Sequence, residues 1–300
     1  MSIGPAALRP HSADELAAMI RENADGLRVR AAGTWMHAGH PVRASQELHL
    51  DAFAGVRTYT PGDLTISVGA ATTLAALDAI TRAQGQWCPL LAWGDDTGSV
   101  GATIATATAG PFAEALGRPR DLVLGLECVD GRGRVIRAGG RVVKNVAGFD
   151  LTRLVTGSWG TLAVITEVHL RLRARPAVDC TYYIEGASAE QVRKLTRGQF
   201  APLAAVALSD DVAKALGHNG HGAWLMRIAG NEPFTEAARA ELHALGACTE
   251  MPERAWNVVR RELAPEPRAT QWQWSPLAAR VKHAFDPRDV LNPGVLGAPQ

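Results

Sequence analysis

The sequence predicts an α+β protein built in two parts, and three observations predict it. Short strand-like apolar runs interleave with helical runs as far as residue 173. A basic break ending in proline follows, Arg173-Ala174-Arg175-Pro176. Beyond it a second, smaller set of strand and helix patterns resumes. The 300 residues are 47% hydrophobic, enough to bury the core of one large or two ordinary domains.

Taken in order, Ser12-Ala13-Asp14-Glu15 ahead of Leu16, Ala17, Met19 and Ile20 predicts an N-capped helix, with Ser12 or Asp14 as the cap. The segment 29–39 leaves a strand through a loop. Strands are predicted at 48–51 and 65–70, with the turn Thr60-Pro61-Gly62-Asp63 between them. A helix over 73–84 sets Leu74, Leu77 and Ile80 on one face. The small residues of 102–110 read as a tightly packed helix. A hairpin joins 122–129 to 133–138 through Asp130-Gly131-Arg132. Gly157 and Gly160 then bracket a tight turn, where glycine permits positive φ or close approach to another molecule. The strand that follows, 163–172, puts Val164, Thr166, Val168 and Leu170 on one side and Ile165, Glu167, His169 and Arg171 on the other. After the break, strands at 180–184 and 223–228 and helices at 189–197 and 233–245 predict a small ferredoxin-like lobe.

Charge and cysteine usage exclude several functions. Thirty-one basic and 30 acidic residues leave a net charge of +1, which does not supply the clustered basic excess that nucleic acid or an acidic membrane requires. Cys88, Cys128, Cys180 and Cys248 lie far apart, with no C-x-x-C pair for zinc or iron–sulfur ligation, and reduced thiols are expected. His37-x-x-His40 and His218-x-x-His221 lack a third ligand at convincing spacing, so no metal is predicted. Residues 1–16 lack the cationic start and apolar core of a secretory signal, and no run is long and apolar enough to span a bilayer. A cytoplasmic location follows, with membrane attachment only peripheral and through partners. Neither G-x-G-x-x-G nor a Walker A loop is present, which disfavours a Rossmann or P-loop nucleotide site.

The densest motif lies between 140 and 173. It contains Lys144-Asn145-Val146-Ala147-Gly148-Phe149-Asp150-Leu151 and, further on, Gly157-Ser158-Trp159-Gly160-Thr161-Leu162. It is joined by Phe285-Asp286-Pro287-Arg288-Asp289-Val290-Leu291-Asn292-Pro293-Gly294 near the carboxyl terminus. Together these resemble the PCMH-type FAD-binding domain of the vanillyl-alcohol oxidase superfamily. K-N-V-A-G-F-D-L resembles, more narrowly, the FAD-binding subunits of bacterial glycolate oxidases. The resemblance implies an FAD-binding domain over 1–173, in two α+β subdomains of about 1–58 and 59–173, then a truncated cap lobe and carboxyl-terminal return segment over 174–300.

It also implies where FAD would sit. Ala32, Gly33, Thr34, Trp35, Met36, His37 and Gly39 occupy the place of the relatives' pyrophosphate loop. Pro89, Gly94, Ser99, Val100, Gly101, Ala105 and Thr106 belong to a second, proline-initiated segment that passes along the cofactor. Val164 and Ile165 match positions whose main chain holds the adenine and ribose side, and Asn292 lies in the return segment near the flavin. Non-covalent FAD is implied, because no histidine follows Gly33 directly and His37 is displaced by three positions. Lys144 and Asp150 are expected to shape the fold, and Arg120 and Asp121 to pair. Ala31, Ala32, Ala102 and Ala163 replace glycines frequent among relatives, and an added methyl is tolerated at negative φ but not at positive φ.

Oxidation of a 2-hydroxy acid needs a base for the proton and a cation for the carboxylate. By position His283, just ahead of F-D-P, is the candidate base; no other catalytic residue is identified. The resemblance implies the FAD-binding subunit of a glycolate oxidase or dehydrogenase complex, oxidising a small 2-hydroxy acid such as glycolate to glyoxylate, beside a larger FAD-containing catalytic subunit and an iron–sulfur subunit. A free-standing FAD oxidoreductase with another small substrate, and an assembly subunit that has lost FAD, are the alternatives.

Overall fold

The computed structural model describes residues 6–90, 93–94, 96–140, 150–218, 221–263 and 272–297. Lys144 and the rest of K-N-V-A-G-F lie outside the described residues.

A three-stranded sheet begins the chain. It comprises β1 (Ala6–Leu8), β2 (Leu27–Arg30) and β3 (Gln46–His49) in the order β1-β3-β2, with parallel neighbours. Between β1 and β2 runs α1 (Ala13–Glu22), capped by Ser12, whose Oγ accepts the Glu15 N–H at 3.1 Å. Its apolar stripe of Leu16, Ala17 and Ile20 is buried with Leu27, Leu48, Val129 and Val164, so α1 cements this sheet to the next.

The central sheet is antiparallel throughout. It orders β4 (Val56–Thr60), β5 (Thr65–Gly69), β9 (Ala163–Arg171), β7 (Val123–Asp130) and β8 (Val135–Gly139) as β4-β5-β9-β7-β8. Its inner face, with Val68, Leu126 and Val168, is covered by α2 (Leu74–Arg82) and α3 (Val100–Thr106) through Leu74, Leu77, Val100 and Ile104. Three short helices, α4 (Ala113–Leu116), α5 (Pro119–Leu122) and α6 (Leu151–Val155), complete this part, and β6 (Gln86–Trp87) pairs with β10 (Arg173–Ala174) at its exit. Asp150 caps α6, accepting the Arg153 N–H at 3.1 Å. The Thr152 hydroxyl and Arg153 hold its carboxyl below the usual range, in keeping with an architectural role. Arg120 and Asp121 pair at 3.7 Å on the surface.

The lobe beyond the break contains β11 (Val178–Glu185), α7 (Ala189–Thr196), β12 (Ala204–Ala207), α8 (Asp210–Ala215), β13 (Trp224–Gly230), α9 (Glu232–His243), β14 (Ala247–Met251) and α10 (Ala255–Glu262). The antiparallel order β12-β13-β11-β14 is that of a ferredoxin-like sheet, with α8 inserted between its second and third strands. One face, with Ile184, Met226 and Ile228, is covered by Val192 of α7 and by Ala238 and Leu242 of α9. The other, with Tyr183 and Leu225, packs with Val212, Trp256 and Val259, and with Trp87, Phe112 and Leu116 of the first part.

The chain then returns. Helix α11 (Pro276–Phe285) ends at Asp286, whose buried carboxylate accepts Lys282 Nζ at 2.6 Å and the Val290 and Leu291 N–H groups at 3.1 and 2.8 Å. Arg288 donates to the carbonyl oxygens of Ile20, Arg21 and Asn23 at the end of α1. The F-D-P-R sequence is thus a clasp that lays the last strand-like residues against β2, where Leu291 bridges to Leu27.

Candidate functional site

Where β2, α3, β9 and the return segment converge there is a cleft partly open to solvent. Arg28 is the charged side chain among its described lining residues; the rest are mostly small or apolar.

The first wall is the loop leaving β2. Gly33 adopts φ +79, which glycine supplies without strain. The loop folds on itself through Met36 N–H to Gly33 O at 3.3 Å and Ala38 N–H to Trp35 O at 3.1 Å, and the Arg28 guanidinium donates to Met36 O. Thr34 Oγ1 is buried at the cleft and has no hydrogen-bond partner among the described residues, a deficit that a bound polar group would relieve.

The second wall is α3. Its first-turn N–H groups are used within the protein: Val100 to Thr72 O at 2.8 Å, Gly101 to Ala70 O at 2.7 Å, and Ala102 to Ser99 Oγ at 3.2 Å. A Cβ on Gly101 would stand 2.7 Å from Ala70 Cβ, so this glycine lets α3 pack on the end of β5. These N–H groups of α3 are therefore not free for a ligand. Ala105 and Thr106, one turn on, face the cleft.

The third wall is the turn before β9. Gly157, Trp159 and Gly160 all have positive φ, of 82, 56 and 66°. Gly157 and Trp159 donate to Ile104 O and Ala105 O at 3.0 and 2.8 Å, tying the turn to α3. Asn292 closes the end: Oδ1 accepts Val29 N–H at 2.8 Å and Nδ2 donates to Trp159 O at 2.9 Å.

Of the residues expected to hold a cofactor, Gly33, Thr34, Trp35, Met36, Gly101, Ala105, Thr106, Val164, Ile165 and Asn292 come together on this cleft. The others do not line it. Ala32 and His37 are exposed on the loop, which Gly39 leaves with φ +84. Pro89 is buried, and Gly94 underlies Trp35, whose ring a Cβ there would approach to 2.9 Å. Ser99 and Val100 are wholly buried as the cap and core of α3. Sequence reasoning missed Arg28, Val42, Ala70, Trp159 and Val295 as lining residues; for Trp159 alone a signal existed, its place between two turn glycines. Ala31, Ala32, Ala102 and Ala163 all avoid positive φ, so the methyl groups impose no backbone strain.

His283 is exposed on α11 in a neighbouring depression that shares only Asn292 with the cleft. Among the described residues no His, Cys, Asp or Glu cluster could hold a metal, and no helix is long and apolar enough to cross a membrane. All four cysteines are free, and burial pushes the Cys88 and Cys128 thiols up to about 12.

Residues 5–139 match the family model described as an FAD binding domain. The chain is 30% identical over 241 residues to glycolate oxidase subunit GlcE of Escherichia coli strain K12, covering 80% of this chain and 65% of that protein. It is 33% identical over 169 residues to a D-lactate dehydrogenase of Archaeoglobus fulgidus, covering 55% and 38%. The chain thus spans less than two thirds of the length of these relatives. A solved structure of alkyldihydroxyacetonephosphate synthase superimposes over 96% of this chain and 75% of its own, with a TM-score of 0.74 at 13% identity, a likeness of fold.

Proposed function

Because residues 5–139 match the model of an FAD binding domain, we propose that this chain holds FAD non-covalently in the cleft and serves as the FAD-binding subunit of a complex that oxidises a small 2-hydroxy acid, glycolate to glyoxylate. The observation that carries the reading is the cleft itself, where three walls built from distant parts of the chain meet at Asn292 around the unpartnered Thr34 hydroxyl. The similarity to a glycolate oxidase subunit and to a D-lactate dehydrogenase supports the substrate class.

The residues fit the cofactor. The loop from Gly33 to Trp35 offers main-chain N–H groups and the Thr34 hydroxyl to a pyrophosphate. Ala102, Ala105 and Ala163 keep the opposite wall low, so that a planar ring can lie against it, while Trp35 and Trp159 screen it from water. Bound FAD supplies a two-electron acceptor for oxidation of a hydroxyl-bearing carbon. No base and cation pair converges on the cleft among the described residues, and the lobe between Val178 and Glu262 is small. We therefore assign the substrate-handling residues to a larger FAD-containing subunit and onward electron transfer to an iron–sulfur subunit.

An assembly subunit without FAD remains the competing reading, but the glycine-to-alanine changes that would favour it occur at negative φ. The purified chain mixed with FAD and freed of excess should keep a flavin absorption spectrum, and denaturation should release the flavin intact. A colourless protein would sink the reading. Glycolate-dependent dye reduction should appear only after co-expression with the partner subunits; activity of the chain alone would make it a free-standing oxidoreductase.

A further inference from the structure

A second cavity, of about 380 Å³, lies between the FAD-binding part and the lobe and shares no lining residue with the flavin cleft. One wall is the α2 stripe Ala75, Asp78, Ala79 and Arg82, spaced to lie on one helix face. The facing wall is the start of α10, where Arg254, Asn257 and Arg260 recur every third residue. Its floor is aromatic: the Arg227 guanidinium lies 5.5 Å from the Trp87 ring centre and 5.1 Å from that of Phe112.

The described lining carries five arginines and the three carboxylates of Asp78, Asp96 and Glu253, and Asp179 beside Arg227 adds a fourth. Asp78 pairs with Arg82 and Arg175, and Glu253 with Arg82 and Arg227, whose side chain is 3% exposed and also pairs with Asp179. Arg82 thus holds acids from both sides of the cavity, and Arg175 and Arg227 each share one of those acids with it. Arg254 has no ion pair among the described residues and reaches the same space. Arg82 holds Asp78 and Glu253 at 3.1 and 3.3 Å with a half-exposed side chain, so part of its donor fork can turn to another acceptor.

The planar fork of a guanidinium matches a carboxylate and can hold it by two hydrogen bonds. The volume suits a compact molecule, and the ring floor suits a short carbon skeleton more than a bare inorganic ion. We propose that this cavity binds a small organic dianion of the dicarboxylate class, gripped by Arg254 and Asn257 of the lobe and by Arg82 of the FAD-binding part, and that the ligand clamps the two parts together. The site is independent of the flavin cleft and of the oxidation proposed for it.

The test titrates the FAD-loaded chain with malonate, uncharged malonamide and inorganic phosphate at matched ionic strength, by calorimetry and by thermal unfolding. Malonate is expected to bind saturably and raise Tm, malonamide to do neither, and phosphate to bind more weakly. Arg254 and Asn257 are exposed, so their variants should fold. Arg254→Gln should weaken malonate by about tenfold through loss of a charge-assisted bond, and Asn257→Asp should weaken it by placing a negative charge at the mouth. Equal malonate affinity in both variants, no saturable binding, or phosphate binding as tightly as malonate would overturn the proposal. So would malonate displacing FAD, since the anion would then occupy the other cleft. A chain that fails to hold FAD but still binds malonate loses only the oxidative role.

Discussion

Asn292 donates from Nδ2 to the carbonyl oxygen of Trp159 at 2.9 Å, across 133 positions of sequence. Both residues have left-handed backbones, φ 43° and 56°, a conformation that costs an L-residue about 1–2 kcal/mol. Packing and hydrogen bonds offset that cost at the point where the walls of the cleft meet. Through its second bond, to Val29 N–H, Asn292 fixes the distance between β2 and the turn ahead of β9.

Removing that side chain should open the cleft. Asn292→Ala leaves two main-chain groups unsatisfied and keeps an unfavourable φ, so Tm should fall and FAD affinity should drop by about one to two powers of ten. Asn292→Gly relieves the backbone while losing the same bonds. Equilibrium titration with FAD should find the glycine variant weaker than the natural chain; equal affinity would mean the junction does not shape the cleft.

A companion effect is expected at Gly160. Its φ is +66, and an added Cβ would stand 2.8 Å from Asn292 Nδ2. Gly160→Ala should cost about 1–2 kcal/mol from backbone conformation and should also weaken FAD binding by moving Asn292. Gly85 has a similar φ of +63 but open space around it, so Gly85→Ala should show a comparable loss of stability with unchanged FAD affinity. Thermal unfolding and FAD titration of the pair separate the two effects, and parallel losses of affinity would refute the link through Asn292.

Much of this geometry was legible in the sequence because local chemistry and tertiary packing agree. Ser12, Thr73 and Asp150 cap the helices they precede, and the ferredoxin-like lobe follows from its long strands and helices. The lobe elements that were not foreseen, β12, α8, β14 and α10, span four to eight residues. Tertiary contacts rather than periodicity define them: α10 is anchored by Trp256 packing on Phe112, 144 positions away, at a ring separation of 5.0 Å. The cleft was half legible for a related reason. Glycines and small residues announce close approach but not what approaches: at Gly101 the neighbour is Ala70. Val295 faces the cleft only because the return segment runs along β2, which no local pattern encodes.

Thr34 offers a test in which stability and binding move in opposite directions. Its buried hydroxyl has no partner among the described residues, so Thr34→Val, which keeps the shape, should leave the FAD-free chain as stable as before or slightly more so. If the hydroxyl meets the cofactor, the same change should weaken FAD by about threefold to tenfold, the worth of one hydrogen bond of about 0.5–1.5 kcal/mol. Comparing Tm of the FAD-free proteins with FAD titrations reads both signs. A loss of stability without loss of affinity would assign the hydroxyl to the fold alone.

The interlobe charge network should appear in the acid limb of stability. Burial by itself would raise the Glu253 carboxyl, but the hydrogen bond from Arg82 and the charges of Arg227, Arg82 and Arg175 outweigh it and hold the group below its usual 4.5. A carboxyl with a lowered folded-state pKa contributes stability above the unfolded value and loses it as pH falls through the folded value. The contribution is therefore complete at neutral pH, begins to fade near 4.5 and is gone at lower pH. The Glu253 side chain is 52% exposed, so solvent and salt screening keep the effect modest. Glu253→Gln should lower stability at pH 7, flatten the decline of Tm below 4.5, and lose its difference from the natural chain in high salt. Urea unfolding across pH 3 to 7 measures this, and parallel pH profiles for the two proteins would show that Glu253 does not bridge the lobes.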